Sequence, residues 1–178
     1  MKCFATLACA AALLFSNGAF AQSQGLKNPP KFSDYPAALQ GDSPHGLATE
    51  PILDSKKAKR YRSVIRSELR EPANFAGHYR IAIWGCGTDC RDFAILDKKT
   101  GRVYTMPGVN GISGVMGNDD ERVEFRADSR LLVISACLSG DCIPDKTRIE
   151  PKVGKFHYLW NGRKLQLIRS APLAIQSS

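Results

Sequence analysis

YRIAIWGCGTDCRDFAILDKKTGRVY, residues 79–104, decides the fold. Tyr79 to Trp84 partly alternates apolar and polar, Phe93-Ala94-Ile95-Leu96 is a short apolar run, and Asp97-Lys98-Lys99-Thr100-Gly101 turns into Arg102-Val103-Tyr104. Runs of period two separated by turn residues read as a three-strand meander. The same grammar continues outward. Val123-Glu124-Phe125 leads through Asp128-Ser129 into Leu131-Leu132-Val133-Ile134-Ser135, and Phe156 to Trp160 faces Lys164 to Ile168 across Asn161-Gly162. An Asn-Gly step between two such runs is the strongest short-range hairpin signal. The expected class is α+β, mainly antiparallel β, as a meander or sandwich-like sheet. Seven or eight strands are too few to close a propeller of four or more blades.

Between Pro107 and Asp119, Gly108, Gly111, Gly114 and Gly117 follow one another at every third residue. Without a lysine, or a strand leading into a helix, this is no phosphate cradle, and it reads as a mobile surface loop. Upstream of the meander, Asp54-Ser55 can cap a helix in which Ala58, Tyr61, Val64, Ile65 and Leu69 recur at helical spacing until Pro72 ends it. The other faces of this N-terminal amphipathic helix are basic, with Lys56, Lys57, Lys59, Arg60, Arg62, Arg66 and Arg70 against Glu68 and Glu71. Such a run reads first as a solvated face, and second as a patch for an anionic lipid or acidic glycan surface.

Residues 22–54 hold Pro29, Pro30, Pro36, Pro44 and Pro51, spaced too closely for a long helix, so they read as an extended leader. Residues 1–21 read as a signal peptide: Met1-Lys2 is a short positive start, Phe4 to Phe15 an apolar core, and Ala19-Phe20-Ala21 a small-x-small cleavage site. The expected organisation is therefore signal peptide 1–21, leader 22–54, one helix-plus-β domain 55–170 and tail 171–178. The 178-residue chain is 43% apolar and 24% charged, within the globular range, and its length suits one domain. The formal charge is +8, and cleavage would remove only Lys2, leaving +7. No cytoplasmic address is expected; the destination is periplasmic or secreted.

Of six cysteines, Cys3 and Cys9 would leave with the signal, and Cys86, Cys90, Cys137 and Cys142 would remain. In an oxidising compartment two close pairs read as disulfides, with three connectivities open. Cys86 with Cys90 and Cys137 with Cys142 is favoured because Gly87 and Gly140 let the backbone turn tightly. Zinc is the sharper alternative, but the spacings are C-x3-C and C-x4-C with no histidine nearby, so no metal is expected. Neither pair has the C-x-x-C spacing at a helix start that favours a catalytic dithiol. Each half of the strand region sends a strand into a cysteine loop, Ile83 to Cys86 and Ile134 to Cys137, and these loops are expected at the same edge of the sheet.

Residues Asn74 to Tyr79, then Trp84-Gly85-Cys86-Gly87-Thr88-Asp89-Cys90 with the 97–104 hairpin behind them, resemble a family of small exported bacterial proteins that share a W-G-C-G-x-x-C loop. The resemblance covers less than the middle third of the chain. It implies an exported β-rich domain and carries over no activity, ligand or catalytic residue.

The candidate binding surface is the cysteine loop, with Trp84, Thr88, Asp89 and Arg91, and with His78 at the other end of the same strand. A stapled loop bearing an aromatic, a carboxylate and a guanidinium loses little entropy on binding. The competing reading is a stapled turn that only holds two strands in register, with Trp84 in the core. No catalytic residue is assigned: G-x-S-x-G, H-E-x-x-H, S-x-x-K with K-T-G and Walker motifs are all missing, and nothing in sequence pairs His78 with a nucleophile. His45 and His157 lie far apart in sequence, and Asp119-Asp120-Glu121 reads as a solvated turn rather than a calcium loop. No cofactor is expected. The expected function is a non-catalytic binding or inhibitory protein of the cell envelope with a protein or envelope partner. A lysozyme inhibitor would meet a cationic enzyme, which a charge of +7 opposes. The alternatives are an envelope hydrolase using carboxylates or His78, and a peripheral lipid binder using residues 56–70. Nucleic acid is not an expected partner, and the sequence does not fix the oligomeric state.

Overall fold

The computed structural model describes residues 28–39, 46–116, 118, 120–138 and 153–173. The expected signal peptide, His45, Asp119 and Cys142 lie outside the described residues. Among the described residues eight strands form a single antiparallel sheet: β1 (Tyr79–Gly87), β2 (Cys90–Asp97), β3 (Val103–Tyr104), β4 (Ile112–Ser113), β5 (Val123–Phe125), β6 (Leu131–Leu138), β7 (Val153–Trp160) and β8 (Leu165–Ala171). The path is β1-β2-β4-β6-β7-β8, with β3 added to β2 and β5 added to β6.

β1 and β2 pair from Tyr79–Asp97 to Gly87–Cys90, so residues two apart share a face. One face carries Ile81, Phe93 and Ile95 into the main core, where they meet Ile112 of β4, Leu132, Ile134 and Ala136 of β6, and Phe156, Tyr158 and Trp160 of β7. The other face carries Ala82, Trp84, Ala94 and Leu96 into a second core under the helices, with Ala58, Ile65 and Leu69. Burial on both faces explains why Phe93 to Asp97 shows no alternation of exposure.

The expected single helix is two: α1 (Lys56–Arg60), capped by the Ser55 hydroxyl accepting from the Ala58 N–H, and α2 (Arg62–Arg70). They break at Tyr61, whose φ of −102° and ψ of 24° leave the helical region while its ring packs on Trp84 at 4.8 Å. The Lys98 amine, on a residue only 3% exposed, donates to the Leu69 and Glu71 carbonyls and so closes the C-terminal end of α2. No helix among the described residues is long and apolar enough to cross a membrane.

The leader packs against the sheet. The Ser129 hydroxyl donates to the Phe32 and Tyr35 carbonyls, and Pro36 bridges to Ser129. Gly77, at φ +86°, leaves room for the leader, because a Cβ there would overlap the Ala38 carbonyl oxygen.

The glycine run departs from expectation. Ile112 and Ser113 form β4, which pairs with Cys90 and Arg91 on one side and with Leu138 and Cys137 on the other, and Ile112 is fully buried. A loop read as mobile thus contains the strand that joins two long hairpin systems.

Candidate functional site

The β1–β2 tip is built from residues that permit a tight reversal. The strand register shifts between Gly85 and Gly87, Gly87 has φ +147°, and Asp89 has φ +52°, a region that Asp tolerates better than most residues. This brings the Cys86 and Cys90 Cα atoms to 5.1 Å, and the two form a disulfide. That bridge removes the two crossed connectivities. Cys137 is buried, and the expected partner Cys142 lies outside the described residues. Cys90, Ser113 and Cys137 follow one another across β2, β4 and β6, so the two cysteine segments stand at one level of the sheet, but β2 and β6 run parallel, β6 ends pointing away from the β1–β2 tip, and the expected shared edge is not formed.

Beneath the tip, Gly111 (φ +148°) packs against the disulfide: a Cβ there would lie 2.6 Å from Cys90 Sγ and 3.2 Å from Cys86 Sγ. Arg122 reaches up from the start of β5. Its guanidinium donates to the Asp89 backbone carbonyl at 3.1 Å and forms a charge-assisted contact with the Asp89 carboxylate. Gly114 keeps the arginine's path open, since a Cβ would come within 2.8 Å of it.

Two hollows flank Arg122 and share Asn118, Asp120 and Arg122 as lining. One, of about 350 Å³, adds Asp89, Met116 and Ser135; the other, of about 300 Å³, adds Ile83, Arg91 and Glu121. The apolar rim is conspicuous: Met116 is 96% exposed and Ile83 36%. Lys155 holds Asp120 at 3.2 Å and Glu124 at 3.4 Å.

The sequence candidates are therefore divided. Asp89 and Arg91 come together at the groove, and Thr88 is exposed at the tip. Trp84 does not join them: it is 8% exposed and packs on Tyr61 in the second core, because its parity on β1 faces the helices. His78 lies at the far end of β1, with Nε2 3.5 Å from an Asp97 oxygen. Asp97 also accepts from the Lys99 and Thr100 N–H groups and the Thr100 hydroxyl, so this pair belongs to a turn. Burial pushes the His78 imidazole below its usual range, with Asp97 opposing and Lys99 assisting.

Sequence reasoning missed Arg122, Asn118 and Ser135. Asp120 reads in sequence only as part of an acidic turn, and a separation of 33 positions between Asp89 and Arg122 leaves no spacing signal. Ser135 faces Lys155 across β6–β7, and its hydroxyl is buried with no hydrogen-bond partner among the described residues. That juxtaposition resembles a serine with a lysine base, but the charges oppose it. Burial pulls the Lys155 amine down, yet the hydrogen bonds and charges of Asp120 and Glu124 outweigh this and raise it above its usual range. A lysine so held stays protonated at neutral pH and cannot take the serine proton.

The basic helical face is also partly committed. The Lys57 amine turns inward to Asp92 at 2.9 Å and to the Val109 carbonyl, and Arg66 pairs with Glu50. Among the described residues no group of three or more His, Cys, Asp or Glu is placed to hold a metal ion. The arrangement suits recognition of polar groups through fixed charges beside an apolar rim. No family model, curated protein or solved structure matches this chain, so its chemistry has to be argued from these residues themselves.

Proposed function

We propose that this chain is an exported, non-catalytic binding protein of the cell envelope, and that the stapled tip with its Arg122 groove receives a protein partner. The single observation behind this reading is that the tip is fixed three ways while its outer residues remain exposed. The disulfide, the Arg122–Asp89 contact and the Gly111 seat hold Gly87, Thr88 and Asp89 in place. Pre-ordered loops lose less entropy on association. Methionine and arginine are enriched at protein interfaces, and Met116 lines one of the two hollows that flank Arg122 while Arg91 lines the other. A disulfide and an export signal are consistent with an oxidising compartment.

The test compares wild type with Met116→Asp and Arg91→Glu in capture from periplasmic extract at physiological salt, with the captured species identified by mass spectrometry. One protein held by wild type and lost by both variants, each melting as wild type does, supports the reading. Equal capture by all three, or none by wild type, refutes it.

A second reading, attachment to anionic lipid, has the outward Lys56, Lys59, Arg60, Arg62 and Arg70 in its favour. Its signature is vesicle binding that weakens steeply with salt; binding that ignores salt refutes it.

A further inference from the structure

A second concavity lies toward the other end of the strands from the disulfide. It has about 340 Å³ of space, within the range of small-molecule sites. Phe93, Ile95 and Trp160 form its floor, Tyr104 sets its ring edge-on to Trp160 at 5.1 Å, and the half-buried Met106 and Leu165 complete its apolar lining. Phe93, Ile95 and Trp160 are each no more than 2% exposed, so the floor is a rigid part of the main core. Protein interiors close up around apolar side chains and leave few voids larger than a water molecule. This recess opens to solvent beside Arg163 and Lys164, so a small molecule can enter it without a rearrangement of the core.

The mouth is polar and asymmetric. Arg163 and Lys164 follow the Asn161-Gly162 turn, and their backbone N–H groups both donate to the Asn161 side chain, at 3.0 and 2.9 Å. The turn is thus ordered although both side chains are exposed, and no carboxylate among the described residues pairs with either. Ser55 also lines the recess; its oxygen accepts from the Ala58 N–H, so its hydroxyl proton is left to donate elsewhere. Asp54 is the one acidic group at the mouth, against two cations.

We propose that this recess binds a small monoanionic amphiphile, a carboxylate with an aliphatic or aromatic body, whose head is read by Arg163 and Lys164 and whose tail lies against Tyr104, Met106 and Leu165. The apolar walls select the body by burial, and the two cations select the head by charge. The site is separate from the Arg122 groove and does not depend on the function proposed for it.

Octanoate, octanol and 8-aminooctanoate are the probes, with Trp160 fluorescence and titration calorimetry as readouts on the full chain. Trp84 is buried in the other core, so Trp160→Phe identifies the responding indole. Octanoate is expected to bind and to change Trp160 emission, with octanol weaker by about five- to tenfold, as two partly exposed ion pairs provide. Arg163→Glu with Lys164→Glu is expected to weaken octanoate by a similar factor and leave octanol unchanged. Met106→Trp, which fills the recess from its rim, is expected to abolish both. No octanoate binding, equal binding of octanoate and octanol, tighter binding of the zwitterion, or indifference to the charge reversal would each overturn the proposal.

Discussion

Replacing Gly111 by alanine tests whether the disulfide and the glycine beneath it form one unit. Two costs add in the oxidised protein. A φ of +148° is sparsely populated for any residue with a Cβ, at about 1–3 kcal/mol. The new methyl, placed 2.6 Å from Cys90 Sγ, is an overpacking of about 1–3 kcal/mol. Together they lower stability by about 2–6 kcal/mol, a fall in melting temperature of roughly 4–24 °C at this chain length. Removing the bridge with Cys86→Ala and Cys90→Ala costs about 2 kcal/mol on its own, because the cross-link closes a loop with a sequence separation of only 4. In that background only the backbone strain remains, so Gly111→Ala should cost about 1–3 kcal/mol less than in the bridged protein. Urea denaturation of the four proteins, completing a double-mutant cycle, measures this coupling. Additive effects, with Gly111→Ala costing the same with and without the sulfurs, would refute the reasoning.

Other outcomes are as specific. Lys98→Met, which keeps length but loses the amine, should destabilise by about 2–3 kcal/mol in urea denaturation by leaving the Leu69 and Glu71 carbonyls at the end of α2 without their donor. Arg122→Ala should cost under about 1 kcal/mol, since its pair is partly exposed, yet should raise amide exchange at Thr88 and Asp89 markedly. Acid should weaken the fold through His157: burial first, then Lys155 and Arg169, hold its imidazole below the ordinary histidine value of 6.5, against Glu124 and the Arg169 backbone. The unfolded chain then binds the proton more readily, so this contribution is present above pH 6.5 and is lost as pH falls through the lowered folded value. The urea midpoint should drop between pH 7.5 and pH 5, and less so in His157→Gln; an equal drop in both would remove this group as the cause.

The long strands were legible because their periodicity is carried by consecutive residues. Leu131 to Ser135 and the Phe156–Ile168 hairpin around Asn161-Gly162 appear where their patterns place them. β4 was not legible. Two residues among glycines have no period, and Ile112-Ser113 is a strand only because Arg91 and Leu138 flank it. Trp84 was misplaced for a related reason: alternation tells which residues share a face, but not which face a distant helix will cover. Ala82 and Ala94, small enough to let Ala58 and Ile65 approach, were the available clue. Arg122 and Asp89 met through tertiary folding alone, which no local pattern encodes.

The two-residue strand has one further implication. Among the described residues β3 pairs only with β2 and β5 only with β6, so the backbone ladder crosses between the two halves at β4 alone. A second seam lies at the other end of the β1–β2 hairpin, where the Ala76 and Gly77 N–H groups donate to the Arg126, Ala127 and Ser129 carbonyls. Tilting one half against the other must therefore strain both seams, and a force applied to the tip meets the β4 seam, directly under the bridged cysteines, first.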